Sequence, residues 1–131
     1  MSEKVTKPEK EWKEILTPEQ FQITRMKKTE PAFSGEYWDC YEKGVYRCVA
    51  CGNELFSSNT KFDSGTGWPS FTSPVSDEST TTTSDDSHGM KRTEVLCMSC
   101  DAHLGHLFND GPTLNRLRYC INSAALKLDS Q

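Results

Sequence analysis

The sequence predicts a mainly antiparallel β domain with a short helical N-terminal segment. Three observations predict it. From about residue 44 onward, short apolar and aromatic runs alternate with Gly, Pro, Asn and Asp turn residues. Helical spacing is confined to the first part of the chain. Two Cys-x-x-Cys pairs stand far apart, which suits two hairpin knuckles brought together across a sheet rather than one small finger.

The helical segment comes first. Trp12, Ile15 and Leu16 are spaced for one face of a short helix. Thr17-Pro18-Glu19-Gln20 reads as a second helix start. Thr17 is the N-cap, Pro18 fits the first turn, and Gln20 completes a capping box. Leu16 and Phe21 then fall where a hydrophobic staple would hold them. This helix is expected to end near Met26-Lys27-Lys28. Residues 1–11 are mostly charged and are expected to be flexible.

The strand candidates are Gly44 to Cys48, Glu54 to Phe56, Thr93 to Cys97, His106 to Phe108 and Arg118 to Asn122. Gly65-Thr66-Gly67-Trp68-Pro69 and Asn109-Asp110-Gly111-Pro112 are turn chemistry. Ser76 to Ser87 is rich in Ser, Thr and Asp and reads as a loop, with Thr80 to Thr83 able to form an edge strand. No repeat or linker divides the 131 residues, so one domain over 1–131 is expected.

Composition bounds the function. Hydrophobic residues make up 34% of the chain and mean hydropathy is −0.68, so a metal clip would help a modest core. A net charge of −4 gives no support for nucleic-acid binding. No apolar run approaches the ~20 residues needed to cross a bilayer. Met1-Ser2-Glu3-Lys4-Val5 is not of the signal-peptide type. These points lead to an expected cytoplasmic setting, where thiols stay reduced and Cys-x-x-Cys pairs tend to be metal sites or redox motifs.

Subtraction sorts the six cysteines. Cys48, Cys51, Cys97 and Cys100 match the four-thiolate tetrahedron of one zinc ion. Gly52 and Asp101 follow the second cysteine of each pair, where a knuckle turns. Four thiolates leave no open position, so the role is structural. The alternatives are two local redox dithiols, or two disulfides in an exported protein. Cys40 and Cys120 remain.

Cys120 lies in Leu117-Arg118-Tyr119-Cys120-Ile121-Asn122. A cysteine inside an apolar strand is usually inert. Here Arg118 and Asn122 share its face of the strand. A cation favours the nucleophilic thiolate, and an amide can donate to a polar substrate atom. His103 and His106 could be metal ligands, but four thiolates make acid–base roles the stronger reading. Trp68, framed by Gly67 and Pro69 on a turn, is either core or the wall of a small apolar pocket.

Together these residues resemble the methionine-R-sulfoxide reductases, the type B family. The matching stretches are Thr17 to Gln20, Thr29 to Trp38, Gly44 to Cys48, Lys61 to Gly65, Gly67 to Phe71, His103 to Pro112 and Leu117 to Ala124. The resemblance implies two antiparallel sheets with a zinc clip at one end. It implies reduction of the R epimer of methionine sulfoxide, free or in proteins, through a Cys120 sulfenic acid recycled by thioredoxin. By position Cys120 is the catalytic cysteine, and His103, His106, Asp110, Arg118 and Asn122 are the polar groups around it. Asp110 is expected to orient an imidazole. Trp68 matches the indole that packs on the S-methyl group, with Phe71 a second substrate-binding candidate in the same motif. A monomer is expected.

One departure stands out. Many members carry a resolving cysteine between the two glycines of the Gly-x-Gly-Trp loop, and here that residue is Thr66. Cys40 is the remaining intramolecular candidate; direct attack of thioredoxin on the sulfenic acid is the alternative. A zinc-ribbon adaptor would explain the clip but not Cys120, the histidines and Trp68 together. A disulfide oxidoreductase would place its reactive pair in one Cys-x-x-Cys near a helix start, unlike either pair here.

Overall fold

The N-terminal helices follow from their caps. α1 (Glu9–Ile15) ends where Leu16 becomes extended, with φ −108° and ψ 149°. That turn drives Leu16 inward beside Trp12 and leaves Ile15 outside: Leu16 is 6% exposed and Ile15 55%. The three residues therefore do not share one buried face. α2 (Pro18–Met26) opens on the expected capping box, with Gln20 N donating to Thr17 Oγ1 at 3.2 Å and Thr17 N to Gln20 Oε1 at 2.9 Å. Lys27, left-handed at φ 60°, closes it. Phe21 joins Leu16 in the core.

The computed structural model describes residues 5–86 and 91–130; His88 and the first four residues lie outside them. The strands among these residues are β1 (Gly44–Cys48), β2 (Glu54–Ser57), β3 (Lys61–Phe62), β4 (Ser70–Phe71), β5 (Thr80–Asp85), β6 (Arg92–Cys97), β7 (His103–Phe108), β8 (Arg118–Ile121) and β9 (Leu126–Ser130), with single 3-10 turns at Ser58–Thr60 and Ser123–Ala125. They form two antiparallel sheets, β2-β1-β9 and β3-β4-β8-β7-β6-β5. The Thr-rich run is the edge strand β5. β3 and β4 are two-residue strands, too short to show a period. β9 does alternate, with Leu126 and Leu128 against Lys127 and Asp129, and it pairs with β1 along its whole length.

Aromatic rings join the sheets. Phe56 from β2 stacks on Phe71 from β4 at 4.5 Å between centroids, and Tyr46 from β1 meets Phe71 at 5.3 Å. Tyr119 from β8 closes the group against Phe56 at 5.6 Å. Strand alternation then decides the site. With Tyr119 and Ile121 buried in this core, Cys120 must point to the other face of the large sheet. Aromatic burial thus aims the thiol; losing one such ring typically costs about 3–5 kcal/mol.

Candidate active site and candidate metal centre

One row of residues crosses the large sheet. Thr83 faces Glu94, Glu94 faces His106, His106 faces Cys120, and Cys120 faces Ser70. Directly opposed residues on adjacent strands share a face. His106 and Cys120 are therefore held side by side by backbone pairing alone. Gly105 makes this approach possible: a Cβ there would lie 2.0 Å from the Cys120 carbonyl oxygen.

His103 should point the other way, because it is three residues from His106. A bulge reverses it. Val95 pairs with Gly105 but Leu96 pairs with His103, so Leu104 is the extra residue. The two imidazoles end 5.5 Å apart. Each is anchored by a carboxylate: His103 Nδ1 meets Glu94 Oε2 at 2.7 Å, and His106 Nε2 meets Asp85 Oδ2 at 2.7 Å. Lys27, just past the end of α2, reaches Glu94 at 3.4 Å, and Arg92 reaches Asp85 at 3.4 Å. Burial lowers the His103 pKa, with Glu94 opposing the shift. His103 Nε2 is buried with no partner among the described residues.

Thr29, Trp68, Arg92, His106, Cys120 and Asn122, with Gly105 and Phe108, line a pocket of about 100 Å³. Asn122 is fixed by both ends of its amide: Oδ1 accepts from Glu30 N at 3.0 Å and Nδ2 donates to Leu104 O at 3.0 Å. An amide nitrogen carries two hydrogens, so one remains for another acceptor. Trp68 Nε1 donates to Glu30 O at 2.9 Å, which leaves the indole half-buried against the pocket.

Burial pushes the Cys120 thiol above the ordinary cysteine range. Arg118 and the Thr66 hydroxyl act against that shift by stabilising the thiolate. Arg118 is itself positioned: it donates to Asp110 at 2.8 Å and lies 4.4 Å over the Phe108 ring. Thr66 continues a hydroxyl chain, 2.7 Å from Ser64 Oγ, to which Ser70 Oγ donates at 2.8 Å.

The structure thus brings Cys120, His106, Asn122, Trp68 and Arg118 together, with His103 just behind. Asp110 lies against Arg118; the carboxylates that orient the imidazoles are Asp85 and Glu94. Phe71 is fully buried between the sheets and does not line the pocket, because β4 presents Ser70 on the Cys120 side. Cys40 also lies outside the pocket lining; its thiol neighbours the Tyr46 hydroxyl and the Lys61 ammonium. Sequence reasoning missed Glu94, Asp85, Arg92 and Glu30. Glu94 had a signal, a lone carboxylate beside the apolar run Val95-Leu96-Cys97 of a predicted strand. Asp85 sat in a low-complexity run with nothing to mark it.

The other four cysteines cluster between a strand end of one sheet and a strand end of the other. Cys48 ends β1 and Cys97 ends β6. Their sulfurs and those of Cys51 and Cys100 all lie within 4.8 Å of one another, with Cys48–Cys100 and Cys51–Cys97 at 3.6 Å. A Zn–S bond of about 2.3 Å gives tetrahedron edges of about 3.8 Å, so the spacing fits such an ion. The two knuckles match each other. Gly52 N donates to Cys48 O at 2.8 Å and Asp101 N to Cys97 O at 2.9 Å, and both turn residues have positive φ. None of the four lines the Cys120 pocket.

Fold and site define a class: a two-sheet β protein whose pocket thiol is kept apart from a four-thiolate metal-type clip. Comparison with known proteins names that class. The SelR domain profile matches residues 16–130. Peptide methionine sulfoxide reductase MsrB of Acinetobacter baylyi is 55% identical over 125 residues, 95% of this chain and 90% of its own length. The protein of the same name from Leptospira interrogans is 54% identical over 131 residues, the full length of both. That of Acinetobacter baumannii is 53% identical over 128 residues, 98% of this chain and 92% of its own. The chain belongs to the methionine sulfoxide reductase B family.

Proposed function

We propose that this chain, as one domain over residues 1–131, reduces the R epimer of methionine sulfoxide, free or within polypeptides, to methionine. The observation that carries the reading is the cross-strand pair His106 and Cys120, lining one small pocket with Trp68 and Asn122.

The chemistry follows from the sulfoxide group, which has an electrophilic sulfur and a basic oxygen. The Cys120 thiolate attacks sulfur while the oxygen accepts hydrogen bonds and a proton. His106, fixed by Asp85 and paired across the strands with Cys120, is the proton donor, and the spare Asn122 N–H is the second donor. His103, fixed by Glu94, buttresses His106. Trp68 receives the S-methyl group. Methyl toward the indole and oxygen toward His106 can be satisfied together by one epimer, which is the source of R selectivity. In sum, thiol plus sulfoxide gives sulfenic acid plus sulfide: the oxygen moves to Cys120, sulfur of the substrate is reduced and cysteine sulfur is oxidised.

Recycling needs two electrons from a dithiol, and thioredoxin is the proposed source in a cytoplasmic setting. It returns Cys120 to the thiol and releases water. Thr66 beside Cys120 supplies a hydroxyl where a resolving thiol would sit. Cys40 is the intramolecular resolving candidate. Cys48, Cys51, Cys97 and Cys100 are proposed to hold one structural zinc that ties β1 to β6.

The test is NADPH consumption with thioredoxin, thioredoxin reductase and each epimer in turn. Turnover of the R epimer and little of the S epimer is expected. Comparable rates on both would contradict the pocket argument.

A further inference from the structure

We propose that Phe33 and Trp38 form a docking ledge for the polypeptide that flanks an oxidised methionine. The proposal rests on the reductase reading above. The Cys120 pocket, about 100 Å³, is smaller than the ~150 Å³ cavity that holds one benzene. It accepts the sulfinyl end of a side chain and little else. The substrate backbone and the neighbouring residues must then lie outside, across the rim.

Phe33 stands at that rim. Its N–H donates to Gly67 O at 2.8 Å, and Gly67 precedes the pocket wall Trp68. A Cβ on Gly67 would lie 2.7 Å from both Phe33 N and Phe33 Cδ2, so loop and ring are in contact. Glu30, three residues earlier, accepts the Trp68 indole N–H. The segment from Glu30 to Phe33 is thus a continuation of the pocket wall.

Phe33 is unusual in two respects. Its backbone is left-handed, at φ 65°, a region that bulky L residues rarely occupy. The residue is nevertheless 57% exposed. A turn of this kind is more comfortable with Gly or Asn. Folding alone gives no reason to hold a large aromatic there in water, and such local strain gathers at binding surfaces. Its aromatic partner among the described residues is Trp38, met edge-on at 4.9 Å and 82°. The pair offers a rigid aromatic surface continuous with the pocket. Such surfaces accept varied apolar side chains and peptide planes with little loss of rotamer freedom. That suits a substrate whose flanking sequence varies.

The test uses the whole chain and two substrates, free L-methionine-R-sulfoxide and a blocked peptide carrying the same residue between apolar neighbours. Phe33→Asn keeps the left-handed turn and removes the ring; Phe33→Tyr keeps the ring. Phe33→Asn is expected to lower kcat/KM on the peptide by about 3- to 10-fold, mostly through KM, the worth of one aromatic contact. Activity on the free amino acid stays unchanged, and Phe33→Tyr restores peptide turnover. Equal losses on both substrates would overturn the ledge in favour of a structural role for Phe33, as would no loss on the peptide. If the unaltered chain reduces neither substrate, the reductase reading fails and the ledge with it.

Discussion

Cys120 on β8 and His106 on β7 are directly opposed across the sheet, and the His106 imidazole is anchored from behind by Asp85 at 2.7 Å. The anchor lies on β5, so three strands fix one imidazole against one thiol. His106→Ala should cut the rate by roughly 10²-fold, the usual contribution of a positioned acid. Asp85→Asn should cost less, since it disorders the ring without removing it. The double variant should be no slower than His106→Ala alone, because the two side chains act as one unit. Additive losses in kcat would show that Asp85 acts separately.

The thiol itself sets the pH dependence. Burial raises the Cys120 pKa above its ordinary value, and Arg118 and Thr66 pull it down. The reactive thiol has lost its proton while the sulfoxide oxygen must still gain one, so it is the thiolate limb of the single-turnover profile whose midpoint should lie above the ordinary thiol value. Arg118→Met removes a stabiliser of the thiolate and should move that midpoint further up. Thr66→Val should move it the same way by a smaller amount. The profile of rate against pH under saturating substrate checks both. A midpoint unmoved by either change would remove the electrostatic account.

The aim of the thiol is partly legible in the sequence. Cysteine spacing separated Cys48, Cys51, Cys97 and Cys100 from Cys120, because paired thiolates follow local turn geometry. Helix α2 was readable from Thr17, Pro18 and Gln20, since a capping box is a contact between near neighbours. What could not be read was anything set by strand register. The His103 bulge depends on Leu96 skipping Leu104 across the β6–β7 ladder. The same register gives the imidazoles to Glu94 and Asp85 and leaves Asp110 with Arg118. Phe71 went to the core because a two-residue strand shows no period from which its facing side could be told.

The clip should matter for stability and not for chemistry. Cys48→Ser should lose the bound metal and lower Tm by roughly 10 °C or more, because metal binding and folding are coupled and each kcal/mol is worth about 4 °C in a domain of this size. Elemental analysis of freshly purified, reduced protein checks the first part, with zinc at one equivalent expected. Protein free of metal and equally stable in both forms would contradict it.

Recycling separates two routes. If Cys40 resolves the sulfenic acid, one turnover without reductant should leave a Cys40–Cys120 disulfide, which requires the two Cα atoms to come within about 7 Å. Cys40→Ser should then keep the first turnover and slow cycling with thioredoxin. Cys40 starts beside Tyr46 and Lys61, outside the pocket lining, so its loop must move. A free Cys40 thiol after turnover, with normal cycling of Cys40→Ser, would assign reduction of the sulfenic acid to thioredoxin directly.

The central claim is that the oxygen of the sulfoxide passes to Cys120. It is tested most directly by adding one equivalent of methionine-R-sulfoxide to the reduced protein, without any reductant, and mapping every cysteine by mass spectrometry while measuring the methionine released. The account predicts one methionine per chain, with Cys120 alone oxidised to a trappable sulfenic acid or joined to Cys40, and no methionine from Cys120→Ser. Methionine formed while Cys120 remains a free thiol, or formed equally well by Cys120→Ser, would contradict it.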